Sequence, residues 1–187
     1  MGLRQLKKQK TRKAISDLAT KLFLERGYYN VTTAEIAELA EVSIPTLFKY
    51  FPTKEMLVFD EDFEIEQWLV DSVKNRKKGQ GILDALLKAG IERISEVPAS
   101  HRKNAKAFMA LIEETPELSR YAGQMWMRHE VVLSEVIQKE VKGKITSVEA
   151  DAVARFVLDA FYRAMKVGNS KEALKRMFRV LRDGWDA

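Results

Sequence analysis

The sequence predicts an all-α protein with about nine helices, on three observations. Apolar residues recur at helical spacing along almost the whole chain. Only four prolines and nine glycines interrupt this pattern in 187 residues. The predicted helices are short before position 52 and longer after it. We therefore expect a small N-terminal three-helix unit, residues 1–53, joined by a long helix to a larger C-terminal bundle within residues 54–187.

Capping residues set the bounds of the three short helices. Thr32 and Glu35 form a capping box, in which each side chain satisfies an amide group at the start of a helix. Ser43 can cap the next helix, with Pro45 in its first turn, where a missing N–H costs nothing. The predicted helices run from the basic N-terminal segment to about Arg26, over roughly 33–40, and over 43–50.

The helices of the bundle are longer. Thr53 caps the fourth, which we expect to run as one rigid rod from about Lys54 to Lys77, until glycines at 79 and 81 break it. A second capping box, Thr146 with Glu149, opens the eighth helix. The remaining helices are predicted at about 82–96, 100–114, 117–142 and 147–167, with a ninth after Gly168.

Composition excludes several classes of site. The chain has no cysteine, so it has no thiol nucleophile, cysteine-based metal site or disulfide. We see neither a secretory leader nor an apolar run of membrane-spanning length, so we expect a cytoplasmic protein with no membrane partner. We expect no cofactor and no metal.

The net charge of +5 is unevenly distributed. Residues 1–13 carry six basic side chains and no acid, whereas residues 14–59 carry four against six and residues 60–187 carry 22 against 21. A basic segment beside a nearly neutral body is typical of a site for a polyanion, either nucleic acid or an anionic membrane surface. A solvated tail is the alternative explanation. The basic residues of the segment are Arg4, Lys7, Lys8, Lys10, Arg12 and Lys13.

Residues 32–51 have the spacing of a helix-turn-helix, with a turn at 41–43. The side chains predicted to form the shared core are Ile36, Ala37, Ala40, Val42, Leu47 and Phe51. Those predicted to point outward are Ile44, Pro45, Thr46, Lys49 and Tyr50, a set without an acid. Such a surface suits a groove walled by phosphates, although a helix pair of this kind can also be a plain packing element.

The stretch TTAEIAELAEVSIPTLFKYFPTKEML resembles the DNA-binding signature of the TetR family of bacterial transcriptional regulators over about 26 residues. The resemblance implies a helix-turn-helix DNA-binding domain, a C-terminal ligand-binding and dimerisation bundle, and a recognition helix at 43–50. Two positions depart from the signature. Glu41 replaces the usual turn glycine, which requires a left-handed residue or a different turn. Phe48 replaces a frequent tyrosine, and we expect it to pack rather than to contact DNA.

Carried over by position, the resemblance implies the DNA-binding set. It also implies a ligand pocket and a dimer interface in the bundle, for which apolar residues of the bundle are the candidates; those of the ligand set can instead be ordinary core. The DNA-binding set is Thr33, Ser43, Ile44, Pro45, Thr46, Lys49, Tyr50 and Lys54. The ligand-binding set, which is rich in methionine and aromatic residues, is Trp68, Phe108, Met109, Ile112, Met125, Trp126 and His129. The dimer interface, on helices 8 and 9, is Val153, Phe156, Val157, Ala160, Phe161, Ala164, Leu174 and Phe178.

The function that the resemblance implies is a homodimeric repressor, released from a palindromic operator by a small apolar or aromatic ligand. An enzyme is disfavoured, because HEVVL lacks the second histidine of a zinc protease and GQGILD lacks the third glycine of a dinucleotide site. The other alternative is a helical adaptor that binds nucleic acid or an anionic membrane non-specifically through its basic segment. That adaptor would leave the outward face of residues 44–50 unexplained.

Overall fold

The computed structural model describes the backbone of residues 2–96 and 99–184, and the side chains of these ranges except 3–5 and 99–104. Within them the chain forms nine α-helices and no strand, which confirms the all-α prediction. The helices are α1 Leu3–Arg26, α2 Thr33–Leu39, α3 Ile44–Tyr50, α4 Asp62–Lys74, α5 Ile82–Glu96, α6 Ala99–Glu114, α7 Pro116–Val141, α8 Ser147–Met165 and α9 Ser170–Asp183. The side chain of Arg4, named above, lies outside the described part.

The predicted rod from Lys54 to Lys77 is wrong. Residues Glu55–Leu57 form a short 3-10 turn, and α4 begins only at Asp62. Side chains of α1 donate hydrogen bonds to backbone carbonyls there: the Ser16 hydroxyl donates to the Leu57 carbonyl at 2.8 Å, and the Arg12 guanidinium donates to the Asp60 carbonyl at 3.2 Å. Because these carbonyls are satisfied by another helix, the chain can leave the helical path without leaving them unpaired.

The chain divides into two compact units. The first contains residues 1–62 and 107–122, and the second contains residues 63–106 and 123–187. The predicted boundary between residues 53 and 54 falls inside the first unit. In the part of the chain that the structure describes, no helix combines the length and the apolar character needed to cross a membrane.

The core of the first unit joins α1, α2 and α3. Ile15 and Phe23 of α1, Ile36 of α2, and Leu47 and Phe51 at α3 are all buried. Leu47 and Phe51 follow one another at a spacing of four, so both lie on the inward side of the third helix. The short helices are thus held by apolar anchors on one side, and their other sides remain available.

The core of the second unit is built mainly on α8, whose buried residues are Ala150, Ala154, Val157, Leu158, Ala160 and Ala164. Leu174 and Phe178 of α9 pack into the same cluster. The predicted capping box opens α8: the Thr146 hydroxyl accepts from the Glu149 amide at 3.3 Å, and the Thr146 amide donates to the Glu149 carboxylate at 2.7 Å. Six small or branched residues on one helix face allow neighbouring helices to approach closely.

Candidate nucleic-acid interface

The turn between α2 and α3 contains a left-handed residue, the first of the two alternatives given above. Glu41 has φ +54°, and the Val42 amide donates to the Ala37 carbonyl at 2.9 Å. This hydrogen bond is the kind that closes a helix C-terminus when the next residue turns left-handed. A residue with a side chain therefore occupies the position that favours glycine, at a cost of about 1–2 kcal/mol.

Hydrogen bonds fix both ends of α3. At its start the Ser43 hydroxyl accepts from the Thr46 amide at 3.3 Å and lies 2.8 Å from the Thr46 hydroxyl. At its end the Arg12 guanidinium donates to the Tyr50 carbonyl at 2.9 Å and lies over the Phe51 ring, 4.6 Å from its centroid. Both termini of a seven-residue helix are satisfied, so its direction relative to α1 is set by named contacts.

The outward face of α3 is apolar with one cation. Ile44 is 45% exposed and Phe48 is 39% exposed, and Pro45 and Lys49 are exposed beside them. No acidic side chain occurs in α3. This face combines contacts for apolar groups with a cation, the combination that base edges and phosphates in a major groove can accept.

The prediction that Phe48 packs inward is wrong. Ile44 and Phe48 are four residues apart, so they lie close together on the helix surface, and both are exposed although Leu47, one residue before Phe48, is buried. Spacing alone does not distinguish the two positions, because Leu47 lies three residues from Ile44 and so shares its side of the helix. The exposed apolar residues of α3 are therefore Ile44, Pro45 and Phe48, one more than the predicted Ile44 and Pro45.

Thr33, Thr46 and Tyr50 are half-buried. Thr33 is the first residue of α2, directly after the Thr32 cap, whose hydroxyl accepts from the Glu35 amide at 3.1 Å. The Glu35 carboxylate pairs with Arg26 at 2.5 Å, and this contact lowers its pKa. The start of α2 is thus anchored to the end of α1.

Lys54, predicted to contact a phosphate, makes contacts within this chain. Its ammonium donates to the Tyr28 carbonyl at 2.6 Å and lies 4.1 Å from the centroid of the Tyr28 ring. Burial lowers its pKa, because desolvation disfavours the charged form. With the fourth helix starting at Asp62, the helix N-terminus expected to assist Lys54 is absent at this position.

The basic N-terminal segment is part of α1. Lys7, Lys8 and Lys10 are exposed, while Lys13 pairs with Asp17 at 3.1 Å. Lys8 is one turn before Arg12, which holds the end of α3, so the two lie on the same side of α1. The exposed lysines thus continue along α1 from the residue that contacts α3.

The predicted ligand residues are divided between the two units. Phe108, Met109 and Ile112 belong to the first unit, and the last two are 9% and 7% exposed. Trp68, Met125, Trp126 and His129 belong to the second, where the buried His129 ring meets Trp126 edge-on at 5.7 Å between centroids. A cleft of about 310 Å³ is lined by none of these residues. It lies between the segment that follows α4 and the end of α7.

The predicted dimer residues differ in exposure. Five of them are buried within this chain's own core: Val157, Ala160, Ala164, Leu174 and Phe178. Val153 and Phe161 are half-buried, and Phe156 is 56% exposed. The five buried residues therefore belong to this chain's own core, while Phe156 and Val153 remain accessible to a partner.

Sequence comparison gives two family matches. Residues 15–60 match the model described as bacterial regulatory proteins, tetR family, and residues 80–186 match the model of the MftR C-terminal domain. MftR of Mycobacterium tuberculosis, named as a regulator of mycofactocin biosynthesis, is 30% identical over 144 residues, which are 75% of this chain and 70% of that protein. The transcriptional regulator TcmR of Streptomyces glaucescens is 33% identical over 122 residues, 63% of this chain and 54% of that protein.

Among solved structures, the fold resembles that of FadR from Thermus thermophilus, a TetR family transcriptional repressor in complex with lauroyl-CoA. The TM-score is 0.61, the identity is 21%, and the match covers 94% of this chain and 95% of that one. At this identity the likeness is one of fold.

Proposed function

The chain belongs to the TetR family of bacterial transcriptional regulators, and from this premise we propose that it is a cytoplasmic homodimeric repressor of a palindromic operator. A small apolar or aromatic ligand releases it. Its function is DNA-binding regulation of transcription rather than catalysis. The observation that carries the proposal is the exposed, acid-free face of α3, fixed at both ends by hydrogen bonds.

Each residue of this face has a role that follows from its chemistry. Ile44, Pro45 and Phe48 offer apolar contact to thymine methyl groups, and Lys49 offers donors to guanine or phosphate oxygens. Ser43 and Thr46 cap the helix and present hydroxyl groups at its start. These contacts would set which base pairs are preferred.

Half-buried and engaged side chains take positioning roles. Thr33 and Tyr50, at the start of α2 and the end of α3, would contact phosphates and so fix the register on the duplex. Lys54 would act indirectly, because its ammonium holds the Tyr28 carbonyl. The exposed lysines of α1 would add salt-dependent contact with the DNA backbone.

Dimerisation is proposed through α8 and α9. The exposed Phe156 and half-buried Val153 lie three residues apart, on one side of α8. A two-fold partner would place two copies of α3 about 34 Å apart, the spacing of successive major grooves on one side of a duplex. A palindromic operator follows from that symmetry.

Release by a ligand is proposed from the bundle's apolar residues. FadR, which shares the fold, was solved with lauroyl-CoA, whose lauroyl chain is apolar. In this chain the aromatic and methionine residues around Trp68, Met125 and Trp126 are the candidates for ligand contact. A ligand lowers operator affinity only to the extent that it binds the released conformation more tightly.

The test is selection of bound sequences from a random duplex pool at physiological salt. We expect enrichment of a palindrome whose half-sites are about one helical turn apart. Sequence-independent, salt-sensitive binding alone would contradict the proposal and favour the adaptor. A Lys49→Ala variant in the same selection should change the preferred bases. The control Lys21→Ala, which removes a surface ion pair of α1, should leave them unchanged.

A further inference from the structure

A second concentration of positive charge lies within residues 60–187, whose 22 basic and 21 acidic side chains nearly cancel. The segment 74–81 holds four basic residues and no acid, and the segment 139–144 holds three basic residues and one acid. The first segment begins at the last residue of α4, and the second begins in the last turn of α7. The function proposed above uses neither segment.

These two segments meet. The Arg76 guanidinium donates to the Glu140 carboxylate at 2.6 Å and to the Val73 carbonyl at 2.6 Å. An open cleft of about 310 Å³ lies between them, and its wall includes Lys142 and Lys144. The cleft is therefore lined by basic residues from two separate parts of the chain.

Hydrogen bonds hold the backbone on both sides of the cleft. The Gln80 amide donates to the Lys77 carbonyl at 2.9 Å, and the Lys77 amide donates to the Gln80 side-chain oxygen at 3.2 Å. On the other side the Lys144 amide donates to the Val141 carbonyl at 3.2 Å. A ligand that binds there would order only side chains, which reduces the entropic cost of binding.

The positive charge of this region is only partly compensated. Arg76 is paired with Glu140. Among the described residues, no ion pair involves the ammonium groups of Lys74, Lys77, Lys78, Lys142 and Lys144. Like charges around a concave wall repel each other and concentrate anions from solution.

We propose that this cleft binds a small multivalent anion, an organic compound with two or more phosphate or carboxylate groups. Lys142 and Lys144 provide charge-assisted hydrogen bonds, and Arg76, fixed by Glu140, shapes the wall between them. The concavity favours a compact ligand. A duplex or a bilayer needs an extended surface and would reach only the rim.

Inorganic triphosphate is the probe, and calorimetry at fixed ionic strength measures its binding to the full chain. We expect the double variant Lys142→Gln/Lys144→Gln to bind about tenfold more weakly or worse, the effect of losing roughly 1.4 kcal/mol. The matched control, Lys88→Gln/Lys106→Gln, removes the same charge from exposed lysines of α5 and α6 and should bind as the wild type does. Equal losses in both variants would overturn the proposal, since they would indicate a diffuse ion atmosphere.

Glu140→Gln provides a test of opposite sign. It removes the one acid of the segment 139–144 and releases Arg76, so triphosphate should bind several-fold more tightly. Thermal unfolding is measured alongside, because Glu140 also anchors Arg76. Weaker or unchanged binding in a variant that melts like the wild type would contradict the proposal. If Glu140→Gln melts at a lower temperature than the wild type, the result for Lys142→Gln/Lys144→Gln alone decides whether the proposal holds.

Two further probes separate a small anion from a macromolecule. Vesicles containing anionic lipid and a duplex without the operator are tested against the wild type and the Lys142→Gln/Lys144→Gln variant. If either macromolecule binds through these lysines while triphosphate does not bind, the small-anion proposal fails. Operator binding should be unaffected by the variant, so this outcome is independent of whether the repressor proposal holds.

Discussion

Helices α3 and α8 divide their residues between core and surface in opposite ways. In α3 only Leu47 is buried, and the side chains predicted to contact DNA remain exposed or half-buried. In α8 six residues are buried, including three predicted to contact a second subunit. A helix of two turns anchored at one residue leaves most of its surface available, whereas a long helix at the centre of a bundle must first supply its own core. The four predictions below test this contrast.

The largest effect is expected in the bundle core. Phe178 is fully buried, with its ring centroid 5.7 Å from that of Phe161, so Phe178→Ala should lower the free energy of unfolding by about 3–5 kcal/mol. The exposed Phe156 is the matched control: Phe156→Ala should change intrinsic stability by less than about 0.5 kcal/mol and weaken self-association instead. Denaturant unfolding at several protein concentrations separates the two. A Phe178→Ala loss that vanishes at low concentration would place Phe178 at a subunit interface.

The next effect concerns the support of α3. Arg12→Gln removes donors to the Tyr50 and Asp60 carbonyls, so we expect a loss of roughly 2–3 kcal/mol in stability together with weaker operator binding. Lys8→Gln removes the same charge one turn away and should affect only the salt-dependent part of DNA binding. Unfolding and operator titration are measured for both. Identical behaviour of the two variants would show that Arg12 acts by charge alone.

Close packing in the bundle gives a third test. A methyl group added at Gly90 would lie 2.5 Å from a ring carbon of Phe161 and 2.9 Å from a methyl carbon of Leu174, so Gly90→Ala should destabilise by about 1–3 kcal/mol. Gly123, within α7, has nothing within 4 Å of that position. Gly123→Ala should therefore stabilise by up to about 1 kcal/mol, because alanine favours a helix. Thermal unfolding measures both, and effects of the same sign would contradict the packing around Gly90.

The smallest effect is expected at the turn before α3. Glu41→Gly should stabilise the protein by about 1 kcal/mol, because glycine adopts a φ of +54° without strain. Glu38→Gly, inside α2, should destabilise by a similar amount. Denaturant midpoints give the comparison. A loss of stability at both positions would mean that the left-handed conformation at Glu41 carries no cost.

The sequence was informative where a local rule determines structure. The Thr146–Glu149 capping box and the Ser43 cap with Pro45 are formed by residues within one turn of each other, and both were predicted. The predicted rod is interrupted at 58–61, and the sequence does not show this break because it depends on Arg12 and Ser16, more than forty residues earlier in the chain. Hydrophobic periodicity identifies a helix face that avoids water, but it does not say whether the same chain or a second copy covers it.

The same limit explains the site predictions. A motif of fixed spacing predicts the face of α3, whereas the exposure of Phe48 depends on which neighbouring helices cover it and does not follow from its spacing. The basic cleft was missed because its two segments are about 60 residues apart and the charges of residues 60–187 nearly cancel. Net charge over a long segment hides a local concentration that folding creates.

The proposed repressor distinguishes its operator from other DNA by base contacts from the outward face of α3. The most direct measurement compares the affinity of the wild type and of Ile44→Ala/Phe48→Ala for the selected operator and for a scrambled duplex at the same salt concentration. We predict that the variant loses operator affinity by tenfold or more, about 1–3 kcal/mol for each base pair affected, while its affinity for the scrambled duplex is unchanged. Equal loss on both duplexes, or no loss on either, would contradict the claim.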